Sequence, residues 1–208
     1  MMKRGYLLGV LFFSGLWGVS EAVLGDALYR AAVPYASVPL TAVAFVVLTF
    51  SRAYFPQTGT ATLIAALAML YKFLNAPFFA CHLLGILLIG ACYDLFFNVF
   101  PLKNRSFSAA AATYLNYALF AVLITYVFQY DFWVQGGFAK VLGHIAVDGS
   151  IAAMACAVLV PVSYRLGEKL QASCAAPFAI GSRFAPSGVL AVTAGLWIFG
   201  VMGLFLHF

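Results

Sequence analysis

Seven apolar segments follow one another along the chain, at 6–29, 36–51, 60–74, 78–100, 107–129, 140–163 and 187–206, with short polar breaks between them. A helix needs about 20 apolar residues to cross the hydrocarbon core of a bilayer, so runs of this kind read as membrane spans. The second and third are short enough to be tilted or partly re-entrant. Charged residues make up 8% of the chain and hydrophobic residues 65%, where a soluble domain carries about 25% charge. A water-soluble globular fold is excluded. The expected fold is an all-α polytopic transmembrane helix bundle of six to seven spans. It divides into a six-helix membrane bundle over 1–170, a cytoplasmic connection over 171–186 and an additional C-terminal membrane helix over 187–208. With 208 residues occupied in this way, no separate soluble catalytic domain is expected.

Proline and glycine mark the breaks. Phe55-Pro56-Gln57-Thr58-Gly59 closes the second segment, Asn75-Ala76-Pro77 the third and Pro101 the fourth, because proline removes a backbone donor and restricts its neighbour. Met1-Met2-Lys3-Arg4 before an apolar run could open a signal peptide. The run, however, outlasts the usual core of about 7–15 residues and contains Trp17, Glu21 and Asp26, so a retained first helix is expected. Cys81, Cys92, Cys156 and Cys174 have no C-x-x-C spacing and read as packing residues.

The basic residues follow topology, with no stripe of interleaved aromatics that would suit nucleic acid. With the N-terminus cytoplasmic, Lys3, Arg4, Arg52, Lys103, Arg105, Arg165, Lys169 and Arg183 all fall on the cytoplasmic side, and Arg30 and Lys140 fall outside. This is the bias expected of loops in a multi-pass protein. Tyr130-Asp131-Phe132-Trp133 then lies at the outer interface, where amphipathic rings anchor.

Ionisable groups inside spans cost about 2.5–3.5 kcal/mol each on insertion scales, so each needs a reason to be there. At 1.5 Å of rise per residue, Glu21 lies roughly 22 Å up the first helix and Lys72 about 18 Å up the third. His82, His144 and Asp148 fall near the outer starts of the fourth and sixth helices. Five ionisable residues from four helices therefore share one depth, in the outer half of the membrane. Within helices, Trp17 and Glu21, Lys72 and Asn75, and His144 and Asp148 are spaced to project together. Trp17, Glu21, Lys72, Asn75, His82, His144 and Asp148 are the candidate binding set for a small polar solute. In it Trp17 would stack on a ring, Lys72 would meet an anionic group, and Glu21 and Asp148 would meet cationic or donor groups. The competing reading makes Glu21–Lys72 and His144–Asp148 buried structural bridges, and Lys72 could instead snorkel outward. Asp26 and Arg30 read as an interfacial pair, Asn116 as an interhelical hydrogen-bonding residue, and Asp94 as an inner-side salt bridge or partner contact.

A metal-dependent intramembrane hydrolase is the alternative from another class, with zinc on His82, His144 and Asp148. The sequence contains no H-E-x-x-H and no G-x-S-x-G, which leaves no catalytic motif to support it. A structural or accessory membrane subunit is the third reading. There is no P-loop, so active transport would draw on an ion gradient or a separate ATPase. In the first helix Ser14, Gly18 and Ala22 form a smooth stripe at four-residue spacing, suited to close helix packing either with a partner or within the chain.

A basic N-terminus, this small-residue stripe, an outer polar cluster and a basic end to the sixth helix together resemble the substrate-binding S components of energy-coupling factor transporters. The resemblance covers residues 1–170 as architecture. It implies a multi-pass protein of the bacterial cytoplasmic (inner) membrane that captures a micronutrient from outside and partners a transmembrane coupling subunit and its ATPases. The docking face would be Ser14, Gly18 and Ala22, which stand where the family favours Ala-x-x-x-Ala. No cofactor is implied.

Overall fold

An apolar segment surrounded by lipid must satisfy its backbone N–H and C=O groups within itself, and helix is the conformation that does so. A computed structural model of the chain describes residues 2–74, 80–99, 104–173 and 185–206, and in their described parts all seven apolar segments are helical. No strand occurs among the described residues. The helices are α1 (Met2–Arg30), α2 (Ser37–Tyr54), α3 (Thr60–Ala68), α4 (Ala80–Asp94), α5 (Arg105–Val122), the short α6 (Asp131–Val134) and α7 (Gly137–Gly143), α8 (Gly149–Ser173) and α9 (Ala185–Leu206). Five stretches are long and apolar enough to cross a membrane: Gly5–Arg30, Ser37–Tyr54, Cys81–Val99, Arg105–Val127 and Gly137–Ala172. Thr60–Phe73 and Ser187–Met202 are shorter apolar helices.

Several helices depart from α geometry. A 3-10 turn, Met69–Leu74, continues α3, and π turns follow α4 at Leu95–Val99 and α5 at Leu123–Val127. Another π turn, His144–Asp148, joins α7 to α8 without a break. The helix expected to end near 163 runs on to Ser173, through Pro161 and past Arg165, Glu168 and Lys169. Residues 171–173, expected to belong to the connection, are therefore helical. Arg, Leu, Glu and Lys are strong helix formers that extend the helix once it has left the apolar layer. Asn75, Lys103, Cys174 and Arg183 lie outside the described residues.

The neighbour relations close into a ring. Helix α1 packs on α2, α2 on α8, α8 on α5, α5 on α4, α4 on α3, and α3 back on α1, with α9 outside the ring against α1 and the 3-10 turn. Phe13, Phe45, Leu48, Ile64, Tyr93 and Val160 are among the buried residues that fill its centre. Small residues allow the closest approaches. A Cβ on Gly90 would stand 2.7 Å from the carbonyl oxygen of Ala61, so α3 and α4 meet at backbone distance there.

One end of the ring is fixed by a carboxylate. The residue before α3, Gly59, has φ of 87°, a conformation that favours glycine, and it offers no side chain to cap the helix. Asp94 of α4 supplies the missing acceptor. Its Oδ2 receives the backbone N–H of Thr62 at 2.8 Å and the Thr62 hydroxyl at 2.6 Å, and its Oδ1 receives Asn98 Nδ2 at 2.6 Å. Arg52 in turn donates to Asn98 and lies over the ring of Phe97. Asp94, expected to make a salt bridge or a partner contact, instead caps a neighbouring helix, with the guanidinium held one residue away. Asp94→Ala should lower stability by about 2–4 kcal/mol, because it strands a helix N–H and a network that are both half-buried. Asp94→Asn keeps one acceptor and should lose less. Thermal unfolding of the purified variants in one detergent checks both the loss and the order.

Candidate functional site

At the opposite end of the ring the helices enclose a cavity of about 820 Å³. It takes its walls from the last turns of α1, the start of α2, the 3-10 turn, the start of α4, the second half of α5, the 130–133 segment and the π turn before α8. Glu21, Lys72, His82, His144 and Asp148 all line it. These five ionisable residues, grouped by depth in the sequence, are brought to one space by the fold.

Lys72 does not snorkel. The residue is 9% exposed, and its Nζ stands 3.4 Å from Glu21 Oε2 while donating to the Glu21 carbonyl oxygen at 3.1 Å. The 3-10 turn that carries Lys72 is thereby joined to α1. Glu21, itself 5% exposed, also accepts a 3.3 Å hydrogen bond from Trp17 Nε1. Trp17 is fully buried and does not line the cavity. The stacking role expected of it is corrected to one of holding the Glu21 carboxylate from beneath.

The second pair lies across the cavity. His144 Nδ1 is 2.7 Å from Asp148 Oδ2, and the two residues are the first and last of the π turn. A π turn inserts one residue into a helix, and such turns are frequent at functional sites. Rings of Tyr117, Trp133 and Phe120 surround the imidazole, with centroids 4.8, 5.0 and 5.7 Å away. A Cβ on Gly149 would be 3.2 Å from Tyr117 Cβ, so α5 and α8 come close beside this pair. The Tyr117 hydroxyl reaches across to α2, donating to Ser37 Oγ and standing 3.3 Å from Thr41 Oγ1. His82 stacks on Tyr29 at 5.7 Å. Asp26 and Arg30 form the expected exposed pair at 2.8 Å, with Asp26 on the cavity wall. Both readings of the charged residues thus coexist: the pairs are formed, and they line an open space.

Sequence reasoning missed several lining residues, Asn116 above all. The sequence reads it as an interhelical hydrogen-bonding residue, yet it lines the cavity, is 5% exposed, and has an Oδ1 with no hydrogen-bond partner among the described residues. The same rise arithmetic places it about 17 Å from Arg105 on α5, so its depth was available as a signal. The docking stripe is a further correction. Ser14 is fully buried and donates to the Leu11 carbonyl oxygen, and Gly18 packs so closely on the ring of Tyr71 that a Cβ would collide with it. Ala22 alone of the three is partly exposed. The stripe is used within the chain, because the 3-10 turn needs that space. Of the metal alternative, His82, His144 and Asp148 share the cavity, but no three His, Cys, Asp or Glu side chains among the described residues are grouped to hold one ion.

Burying Glu21 and Lys72 together carries a desolvation cost that their mutual attraction offsets, whereas removing one strands the other. Glu21→Gln and Lys72→Met should each lower stability by about 3–5 kcal/mol, and the double variant should recover most of that loss. A double-mutant cycle of thermal unfolding in detergent checks this; additive losses would mean that the two charges do not stabilise each other. Comparison of the chain with protein-family models, with curated proteins and with solved structures finds no match.

Proposed function

We propose that the protein is a multi-pass membrane protein that binds a small polar micronutrient in the cavity and serves its uptake. The observation that carries this reading is the cavity itself. Its volume of about 820 Å³ lies within the range of about 300–1,000 Å³ typical of small-molecule sites. Its lining combines aromatic rings with a few polar groups drawn from separate helices, the composition that binds and orients a solute. Ionisable side chains inside a membrane are costly, and for that reason they mark functional sites by default.

Orientation supports uptake from outside. Arg52, Arg105, Arg165 and Lys169 belong to the end opposite the cavity, where Arg105 lies 3.4 Å over the ring of Tyr164 and Arg52 joins the Asp94 network. The bias of basic residues toward the cytoplasm puts that end and the N-terminus inside, and the cavity outside. Six or seven spans follow if the shorter Thr60–Phe73 and Ser187–Met202 helices also cross. A bacterial inner membrane, and a place like that of an energy-coupling factor S component working with a coupling subunit and ATPases, complete the proposal. The sequence has no P-loop of its own to power transport.

Asp148→Ala should weaken binding of a captured solute about tenfold or more while leaving membrane insertion intact, because Asp148 lines the cavity and sits beside His144. A thermal-shift screen of the purified protein against polar micronutrients, followed by titration of each hit with the variant, measures this. Equal affinity in both proteins would remove Asp148 from the site. Absence of any hit would favour an accessory subunit. Co-purification of an ATPase with the tagged chain tests energy coupling separately.

A further inference from the structure

Resting on the cavity as a capture site, we propose that its cargo is a neutral, flat aromatic molecule with a carbonyl-type acceptor, and that Gly25 and Gly85 admit it. Glycine is a poor helix former, so one inside a helix needs a reason. Packing supplies that reason at Gly9 and Gly18 of α1 and at Gly90 of α4, where a Cβ would collide with Phe55, with Tyr71 and with Ala65. At Gly25 of α1 and Gly85 of α4 it supplies none. The nearest atoms to a Cβ there would be 3.4 and 3.7 Å away, which is ordinary van der Waals contact. Both of these glycines line the cavity.

The atom nearest the missing Cβ of Gly25 is Lys72 Nζ. An ammonium has three N–H donors. Among the described residues its partners are two oxygens of Glu21, the carbonyl at 3.1 Å and Oε2 at 3.4 Å, so one N–H is left over. Lys72 lines the cavity while only 9% exposed, and a ligand oxygen relieves the cost of a donor kept there without an acceptor. Any larger residue at 25 would set a carbon against Nζ; glycine leaves that side of the ammonium uncovered. The sequence suggests an anionic group for Lys72, yet the Glu21 carboxylate already fills that role and would repel a second anion. A neutral acceptor takes the spare N–H without that repulsion, and without the cost of bringing a charge out of water.

Gly85 clears a different side of the cavity. Its missing Cβ faces Phe120, with Cδ2 and Cε2 of that ring at 3.7 Å and, apart from its own helix backbone, no other described atom within 4 Å. Phe120 lines the cavity as well, and the rings of Trp133 and His144 are 5.4 and 5.7 Å from it. Aromatic rings pair by offset stacking or edge to face, so a side of Phe120 kept free of side chains suits a flat ring. One glycine thus serves the acceptor of the cargo and the other its ring.

The test uses the full chain purified in detergent and three probes: benzamide, which has the ring and the neutral carbonyl; cyclohexanecarboxamide, which lacks the flat ring; and benzoate, which replaces the amide by a charge. Calorimetric titration should show benzamide binding at least about fivefold more tightly than cyclohexanecarboxamide and about tenfold more tightly than benzoate. Gly25→Ala and Gly85→Ala should each weaken benzamide about tenfold. Each should also raise the unfolding temperature of the ligand-free protein by about 1–4 °C, because alanine fits both positions and favours helix. A glycine kept for packing would lower that temperature instead. Unchanged benzamide affinity in either variant, a lower unfolding temperature in either, or benzoate or cyclohexanecarboxamide binding as tightly as benzamide would overturn the assignment. If a micronutrient hit from the thermal-shift screen loses affinity in Asp148→Ala while benzamide does not bind, the cargo assignment falls and the capture site stands. If the screen also gives no hit, both fall.

Discussion

The ion pair between Glu21 and Lys72 organises the cavity end of the molecule. A lysine 9% exposed and a glutamate 5% exposed are tolerable in an apolar bundle only because each compensates the other and additional donors complete the carboxylate's shell. That requirement draws the 3-10 turn against α1. Once it is there, Tyr71 of the same turn fills the groove over Gly18, and Trp197 of α9 packs on Tyr71 at 5.0 Å while donating to the Leu11 carbonyl oxygen. The pair, the small-residue stripe and the seat of α9 are thus one linked arrangement.

The two ends of the bundle use buried charge in opposite ways. At the Asp94 end every acceptor named is taken by a donor, from Thr62, Asn98 and, through Asn98, Arg52, so the carboxylate is consumed in holding α3 to α4. At the cavity end the Asp148 carboxylate is answered by an imidazole, and the Glu21–Lys72 pair borders an open space. Saturated polar groups stabilise, whereas ionisable groups that border an open space are also placed to meet a ligand. This contrast, more than the presence of charge, separates a structural network from a candidate site.

Much of this was legible in the sequence because membrane burial makes charge informative. The apolar runs located the helices, and helical rise put Glu21, Lys72, His82, His144 and Asp148 at one depth, which the fold turns into one cavity. What stayed hidden depends on rotation about the helix axis, which rise does not report. Trp17 and Glu21 are four apart, yet the indole lies beneath the carboxylate and away from the cavity. Ser14 and Gly18 read equally well as an outward or an inward stripe, and only the position of Tyr71 decides. A lone amide on a helix usually bonds to its neighbours, and the orphaned oxygen of Asn116 is visible only once those neighbours are in place.

The irregular turns explain why an open space can exist here at all. A ring of straight helices with small residues at its contacts packs shut, as α3 and α4 do at Gly90. Near the cavity the regular ladder is broken on two sides: a 3-10 turn tightens the chain at Lys72, and a π turn widens it between His144 and Asp148. Each break changes the number of residues per turn and so re-aims the side chains that follow. Because Lys72, His144 and Asp148 sit at these breaks, with Glu21 on the regular α1 opposite Lys72, the turns that border the cavity also present much of its chemistry. The aromatic wall behind His144 then fixes how far the π turn can relax, since Tyr117 is tied to α2 through Ser37 and packs closely against Gly149 of α8.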